Sequence, residues 1–237
     1  RHSNNIIHPH QEARIMKETL LKIRDLTIGH KGKPLCSGIC FDICKGDCIM
    51  LCGANGSGKT TLLKALTDMS EDIVMIPTGI PKTAGFTLKE FVRIGCYRQT
   101  DMGGRLSVQD EKTLEDALQQ LGISHIADQD ISTLSDGEFQ KAGIASALVR
   151  KASILLLDEP TAFLDAENRI AVLRTLRELC DGSGTAVIFS THDLHDGRNA
   201  ATKVCAIGAD GIFRSSEDDM DGVIGSIFRR NETRNRK

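Results

Sequence analysis

The segment Gly53-Ala54-Asn55-Gly56-Ser57-Gly58-Lys59-Thr60 restricts the folds open to this chain more than any other stretch. It fits all eight positions of the phosphate-loop pattern and lies between an apolar run at 48–52 and a helix-like run at 61–66. The glycines let successive backbone N–H groups turn inward around phosphate oxygens, and the following helix adds the partial positive charge of its N-terminus. Lys59 supplies a mobile cation for the β- and γ-phosphates, and the Thr60 hydroxyl is a ligand for Mg²⁺. A loop of this kind is delivered by a buried strand to a helix, which calls for an α/β sheet with its ligand at the strand ends.

Short apolar runs at 21–28, 39–43, 48–52, 73–76, 154–157, 186–189 and 204–207 supply the strands. Runs as uniform as Ile154-Leu155-Leu156-Leu157 suit strands buried on both faces of a parallel sheet. Between 87 and 150 the apolar spacing changes to three and four residues, with helices expected over 112–121 and 137–149, so a helical insertion interrupts the sheet. At 237 residues the chain suits one large domain, or a main domain with a smaller subdomain. Its longest apolar runs fall far short of the ~20 residues that cross a bilayer. A net charge of -2 gives no global field for holding nucleic acid, so any polyanion must be met locally.

Residues 1–15 lack an initiating Met and a signal-type apolar core, and read as a disordered leader or a cloning remnant. Residues 216–237 read as a C-terminal helix and basic tail, with five positive charges and one negative in the last nine residues. Five cysteines recur every fourth residue at Cys36, Cys40, Cys44, Cys48 and Cys52. On strands that spacing spans ~13 Å. This is too far for one metal or a disulfide, except for Cys44 and Cys48 across the intervening turn, so the thiols are expected to be reduced and to act as small apolar side chains.

The strand at 154–157 delivers Asp158 and Glu159 to its C-terminal end, where Asp158 is placed for Mg²⁺ and Glu159 for an attacking water. The buried run Val187-Ile188-Phe189 likewise brings His192 to the same sheet edge. Ser135-Asp136-Gly137-Glu138 can open the helix that follows it as an N-cap, and that same helix end is an anion site.

Around these residues stand Leu134-Ser135-Asp136-Gly137-Glu138-Phe139-Gln140-Lys141, Thr161-Ala162-Phe163-Leu164-Asp165 and Ser190-Thr191-His192-Asp193-Leu194. With the phosphate loop they resemble, in order and spacing, the nucleotide-binding subunits of ABC transporters over residues 18–213. LSDGE stands where the commonest family form is LSGGQ, and LSDGE with the following QK and TAFLD most resembles the ATPases of iron-siderophore, haem or cobalamin importers. The resemblance implies a P-loop NTPase fold: a mainly parallel sheet, a reduced antiparallel β subdomain and a helical subdomain at about 79–150, within an ATPase domain at 16–215. It implies binding of ATP and Mg²⁺ at Gly53 to Thr61, with Lys59, Glu159 and His192 catalytic. Ser135, Asp136, Gly137 and Glu138 would face the ATP of a second subunit, and Asp165 would be the acid linking the two sites.

The partners implied are a second copy, integral-membrane permease subunits and, indirectly, a solute-binding protein, with no nucleic acid. The implied place is the cytoplasmic face of the inner membrane, peripherally. Departures from the family pattern are His30, at the position of an adenine-stacking aromatic, and Thr78, at the position of a glutamine, with Gln99 ranking second there. The short interval from Thr61 to Thr78 suggests a trimmed β subdomain. Two other readings stay open: a soluble ABC-type ATPase in an assembly process such as iron-sulfur cluster building, and a non-hydrolysing regulatory module. The segment Phe86-Thr87-Leu88-Lys89-Glu90-Phe91-Val92, similar to importer ATPases, stands against the first, and Glu159 with His192 against the second.

Overall fold

A computed structural model of the chain describes residues 17–30, 32–95, 107–162 and 164–227. Gln99, Phe163, the segment 1–15 and the basic stretch 229–237 lie outside the described residues. Strands β1 (Thr19–His30) and β2 (Lys33–Cys44) form an antiparallel pair. On β2, Ile39, Phe41 and Ile43 are buried at every second position while their neighbours are wholly or partly exposed, the period of a strand with one face on a core. Main-chain pairing continues beyond those apolar positions, which is why each strand runs longer than the sequence pattern alone indicates.

The second sheet has the order β4-β5-β6-β3-β7-β8: β4 (Ile73–Ile76), β5 (Ile154–Leu157), β6 (Ala186–Ser190), β3 (Cys48–Gly53), β7 (Lys203–Ile207) and β8 (Phe213–Ser216). The first five are parallel and β8 is antiparallel to β7. Every residue of β3, β5 and β6 is buried, as expected for strands covered on both faces. Alternate side chains serve opposite layers. Ile49, Leu51, Ile154 and Leu156 pack with the β1–β2 pair and helix α1 (Lys59–Thr67). Met50, Leu155, Leu157 and Phe189 pack with helices α3 (Val108–Gln120), α4 (Asp136–Val149) and α5 (Ala166–Ser183). Truncating one such leucine to alanine costs about 2–5 kcal/mol, so the sheet that carries the functional loops is well anchored.

Helix α2 (Leu88–Arg93) lies with α3 and α4 in the helical region, and α6 (Leu194–Ala200) and α7 (Met220–Ser226) complete the chain. Strand β8 was not foreseen from sequence, because Phe213-Arg214-Ser215-Ser216 at the sheet edge carries a single apolar residue. The seven described cysteines are free thiols, and Cys44 lies against Thr19, 3.9 Å from its hydroxyl, rather than bridged to Cys48. Burial pushes the Cys52 thiol up to about 12, and its Sγ donates to the Cys205 carbonyl at 3.5 Å. It is a small core side chain, not a nucleophile.

Candidate nucleotide site

The loop 53–60 leaves β3 through Gly53, where a Cβ would lie 2.7 Å from the Ile207 carbonyl and 2.7 Å from Ser57 Oγ. It enters α1 through Gly58, whose φ of 107° is open to glycine and strained for other residues. Among the described residues no side chain caps α1, so its first-turn N–H groups stay directed at the loop that Ala54, Asn55, Gly56 and Ser57 complete. Among the described residues the buried Ser57 hydroxyl has no hydrogen-bond partner. An unpaired buried donor costs about 1–3 kcal/mol, a cost that a phosphate oxygen would remove. Lys59 is buried and folded over the loop, donating to the carbonyls of Gly53 at 3.0 Å and Ala54 at 3.3 Å. Burial lowers the pKa of its ammonium, while Glu159 and Asp158 act in the opposite direction.

The two acids after β5 face different partners. Asp158 Oδ2 accepts from Thr60 Oγ1 at 2.8 Å, and its Oδ1 accepts from Ser190 Oγ at 2.7 Å. Glu159 has a φ of 49° and donates its N–H to Ser190 Oγ at 2.9 Å, which turns its side chain toward His192. Glu159 Oε1 lies 2.6 Å from His192 Nε2. A carboxylate only accepts, so this bond places the imidazole proton on Nε2. Thr78 Oγ1 donates to the Asp158 carbonyl at 2.5 Å, tying the end of β4 to the end of β5. His30, at the end of β1, has Nε2 3.3 Å from Thr61 Oγ1, at the start of α1.

Apart from His30, which ends a strand of the smaller sheet, these residues meet at the C-terminal ends of the parallel strands. Thr60 and Asp158 offer oxygen donors suited to a hard cation, and no group of three or more His, Cys, Asp or Glu among the described residues forms a metal cage. The donor set fits Mg²⁺ that draws its other ligands from phosphate and water. Ser190 was missed by sequence reasoning. Its signal was a polar residue ending an otherwise apolar buried strand, just before Thr191-His192.

Ser135 to Glu138 form a separate group at the start of α4. Ser135 caps the helix, and its N–H and Oγ each donate to Glu138 Oε2 at 2.8 Å. These bonds hold the Glu138 carboxyl below the usual range. Gly137 is buried against α5, where a Cβ would lie 3.1 Å from Asn168 Oδ1. Asn168 is in turn held by Asp165, which caps α5 and accepts the Asn168 backbone N–H at 2.8 Å. Among the described residues no hydrogen bond or ion pair joins 135–138 to the loop 53–61 of the same chain. Arg169, also unmarked in the sequence reading, pairs with Asp193 beside His192.

The fold and the site define an α/β nucleotide-binding protein of the P-loop ATPase class. A profile described as ABC transporter matches residues 36–162, more than half of the 237 residues. A zinc import ATP-binding protein of Chelativorans sp. is 32% identical over 78% of this chain and 66% of its own length. The ferric enterobactin transport ATP-binding protein of Escherichia coli is 29% identical over 81% of this chain and 80% of its own. Among solved structures, a metal-chelate type ABC transporter in an inward-facing conformation superposes with a TM-score of 0.78 at 24% identity, over 88% of this chain and 90% of the other, which supports the fold. The chain belongs to the ABC transporter family, whose ATP-binding subunits are ATPases coupled to transport. None of its described helices is long and apolar enough to cross a membrane.

Proposed function

We propose that this chain hydrolyses ATP as one of a pair of identical subunits bound peripherally to permease subunits of an importer for an iron-siderophore, haem or cobalamin. The observation that carries the catalytic part is the divergence of two adjacent acids, Asp158 toward Thr60 and Ser190, Glu159 toward His192. One carboxylate serves the phosphate and cation side of the site, and the other serves water.

In this reading the backbone N–H groups of 53–61 and the Ser57 hydroxyl hold the phosphates, and Lys59 leaves the Gly53 and Ala54 carbonyls to meet them. Thr60 and Asp158 would hold Mg²⁺, which would supply positive charge beside the phosphate oxygens. Glu159 orients the attacking water and accepts its proton, and His192 holds Glu159 in place. His30 borders the nucleotide base. Thr78 acts through Asp158, because its hydroxyl is engaged with the Asp158 carbonyl. Ser135 and Gly137 act on the ATP bound by the second copy, and Asp165 aligns that contact through Asn168.

Glu159→Gln is expected to keep ATP binding and slow turnover by roughly 10² to 10⁴. Unchanged turnover would refute the assignment. The solute class rests on the LSDGE and TAFLD stretches and on the names of relatives such as the enterobactin protein. Because another relative is named for zinc, uptake of ferric siderophore, haem, cobalamin and zinc in cells lacking this chain decides among them.

A further inference from the structure

Lys82 follows β4 and is remote in sequence from α4, yet it reaches the first turn of that helix by three routes. Its Nζ donates to the Leu134 carbonyl at 2.6 Å, lies 2.6 Å from Asp136 Oδ1, and stands 5.8 Å from the centre of the Phe139 ring. The ammonium stem is the better anchored partner, with 24% of the Lys82 side chain exposed against 60% of Asp136. Lys82 also lines a recess of about 140 Å³ together with Thr78, Asp136 and Glu159.

The first turn of α4 holds two acids, Asp136 and Glu138. Glu138 is turned back onto Ser135, whereas Lys82 is the one ionic partner of Asp136 among the described residues. The N–H groups of Asp136 and Gly137 have no acceptor among the described residues, so this helix end is open to an anion. A bare carboxylate at Asp136 would set like charge beside that anion, and like charges placed together across an interface are strongly unfavourable.

We propose that Lys82 is a positioning residue that neutralises Asp136 and fixes the start of α4, so that this helix end accepts the triphosphate carried by a second copy of the chain. The inference rests on the reading that Ser135 and Gly137 face that second nucleotide. Lys82 touches no reacting atom; it acts through Asp136.

The test is a cycle of K82M, D136N and the double variant, read as KM and kcat for ATP at low and high salt. K82M is expected to raise KM roughly three- to tenfold with a smaller change in kcat, the scale of a partly exposed charge pair. The same change made in the D136N background is expected to alter KM less than twofold, and K82R to retain the wild-type value. High salt should shrink the K82M defect, since screening weakens repulsion between exposed charges. A K82M defect of equal size in the D136N background, or no defect at all, overturns the proposal. ATP-dependent pairing of the Glu159→Gln protein separates the two layers. If Ser135→Arg leaves pairing intact, the underlying reading of α4 fails. If Ser135→Arg abolishes pairing and K82M leaves KM unchanged, the role of Lys82 alone fails.

Discussion

Helices α2 and α4 open with the same cap and put it to different uses. Thr87 and Ser135 each donate N–H and hydroxyl to a glutamate three residues on, at 2.8 and 2.9 Å to Glu90 and at 2.8 Å twice to Glu138. In both, the glutamate N–H returns to the hydroxyl at 3.2 Å. The next two residues differ. Leu88 is fully buried, and the N–H groups of Leu88 and Lys89 are consumed by the carbonyls of Gln129 and Ala127 at 2.9 and 2.8 Å. At α4 the corresponding residues are Asp136 and Gly137, whose N–H groups are left without acceptors among the described residues. A capping box thus says that a helix begins; what surrounds its first turn decides whether its N–H groups are spent on the fold or left open.

The largest expected contrast comes from placing an acid at the third position of each box. Gly137→Asp is expected to cut ATP turnover by roughly 10² or more, because it sets a charge and a side chain against the open N–H groups. Lys89→Asp should leave turnover within about twofold, although Lys89 loses its approaches to Glu111 and Glu115. Parallel melting curves separate loss of chemistry from loss of fold. A smaller effect is expected from removing each cap. Ser135→Ala and Thr87→Ala should each cost about 1 kcal/mol in denaturant unfolding, and turnover should fall in Ser135→Ala alone. Equal loss of turnover in the two would erase the distinction.

The smallest effect is electrostatic. Both Glu90 and Glu138 are held below the usual carboxylate range by hydrogen bonds from their cap residues. A depressed folded-state pKa contributes stability that is present above the unfolded value of about 4.3 and is lost as pH falls through the folded value. NMR titration should therefore show both acids titrating low. Addition of ATP to the Glu159→Gln protein should raise Glu138 alone, as Ser135 is drawn from its carboxylate to phosphate.

Much of the site could be read along the chain because its parts are contiguous. Gly53 to Thr60, the acids after 154–157 and the histidine after 186–189 each sit at the end of an apolar run, and runs of that kind become parallel buried strands. Ser190 needed the register. Leu157 stands opposite Phe189, so the following residues, Asp158 and Ser190, become neighbours, and sequence spacing does not carry that information. Lys82 and Asp136 are a tertiary pair of the same sort. The four-residue cysteine repeat shows the reverse error that spacing invites: Cys36 is buried and Cys40 exposed on one strand, Cys44 ends that strand, and Cys48 and Cys52 lie on the next.

The bonds that Lys59 makes to its own loop bear on the return half of any cycle of binding and release. In the proposed mode of binding its ammonium would keep oxygen ligands throughout, exchanging the two carbonyls it holds for phosphate as nucleotide arrives and taking them back as nucleotide leaves. Departure would therefore restore the bonds of the lysine while leaving the Ser57 hydroxyl unpaired, and arrival would displace bonds already made, so net affinity is the difference between two partly bonded states.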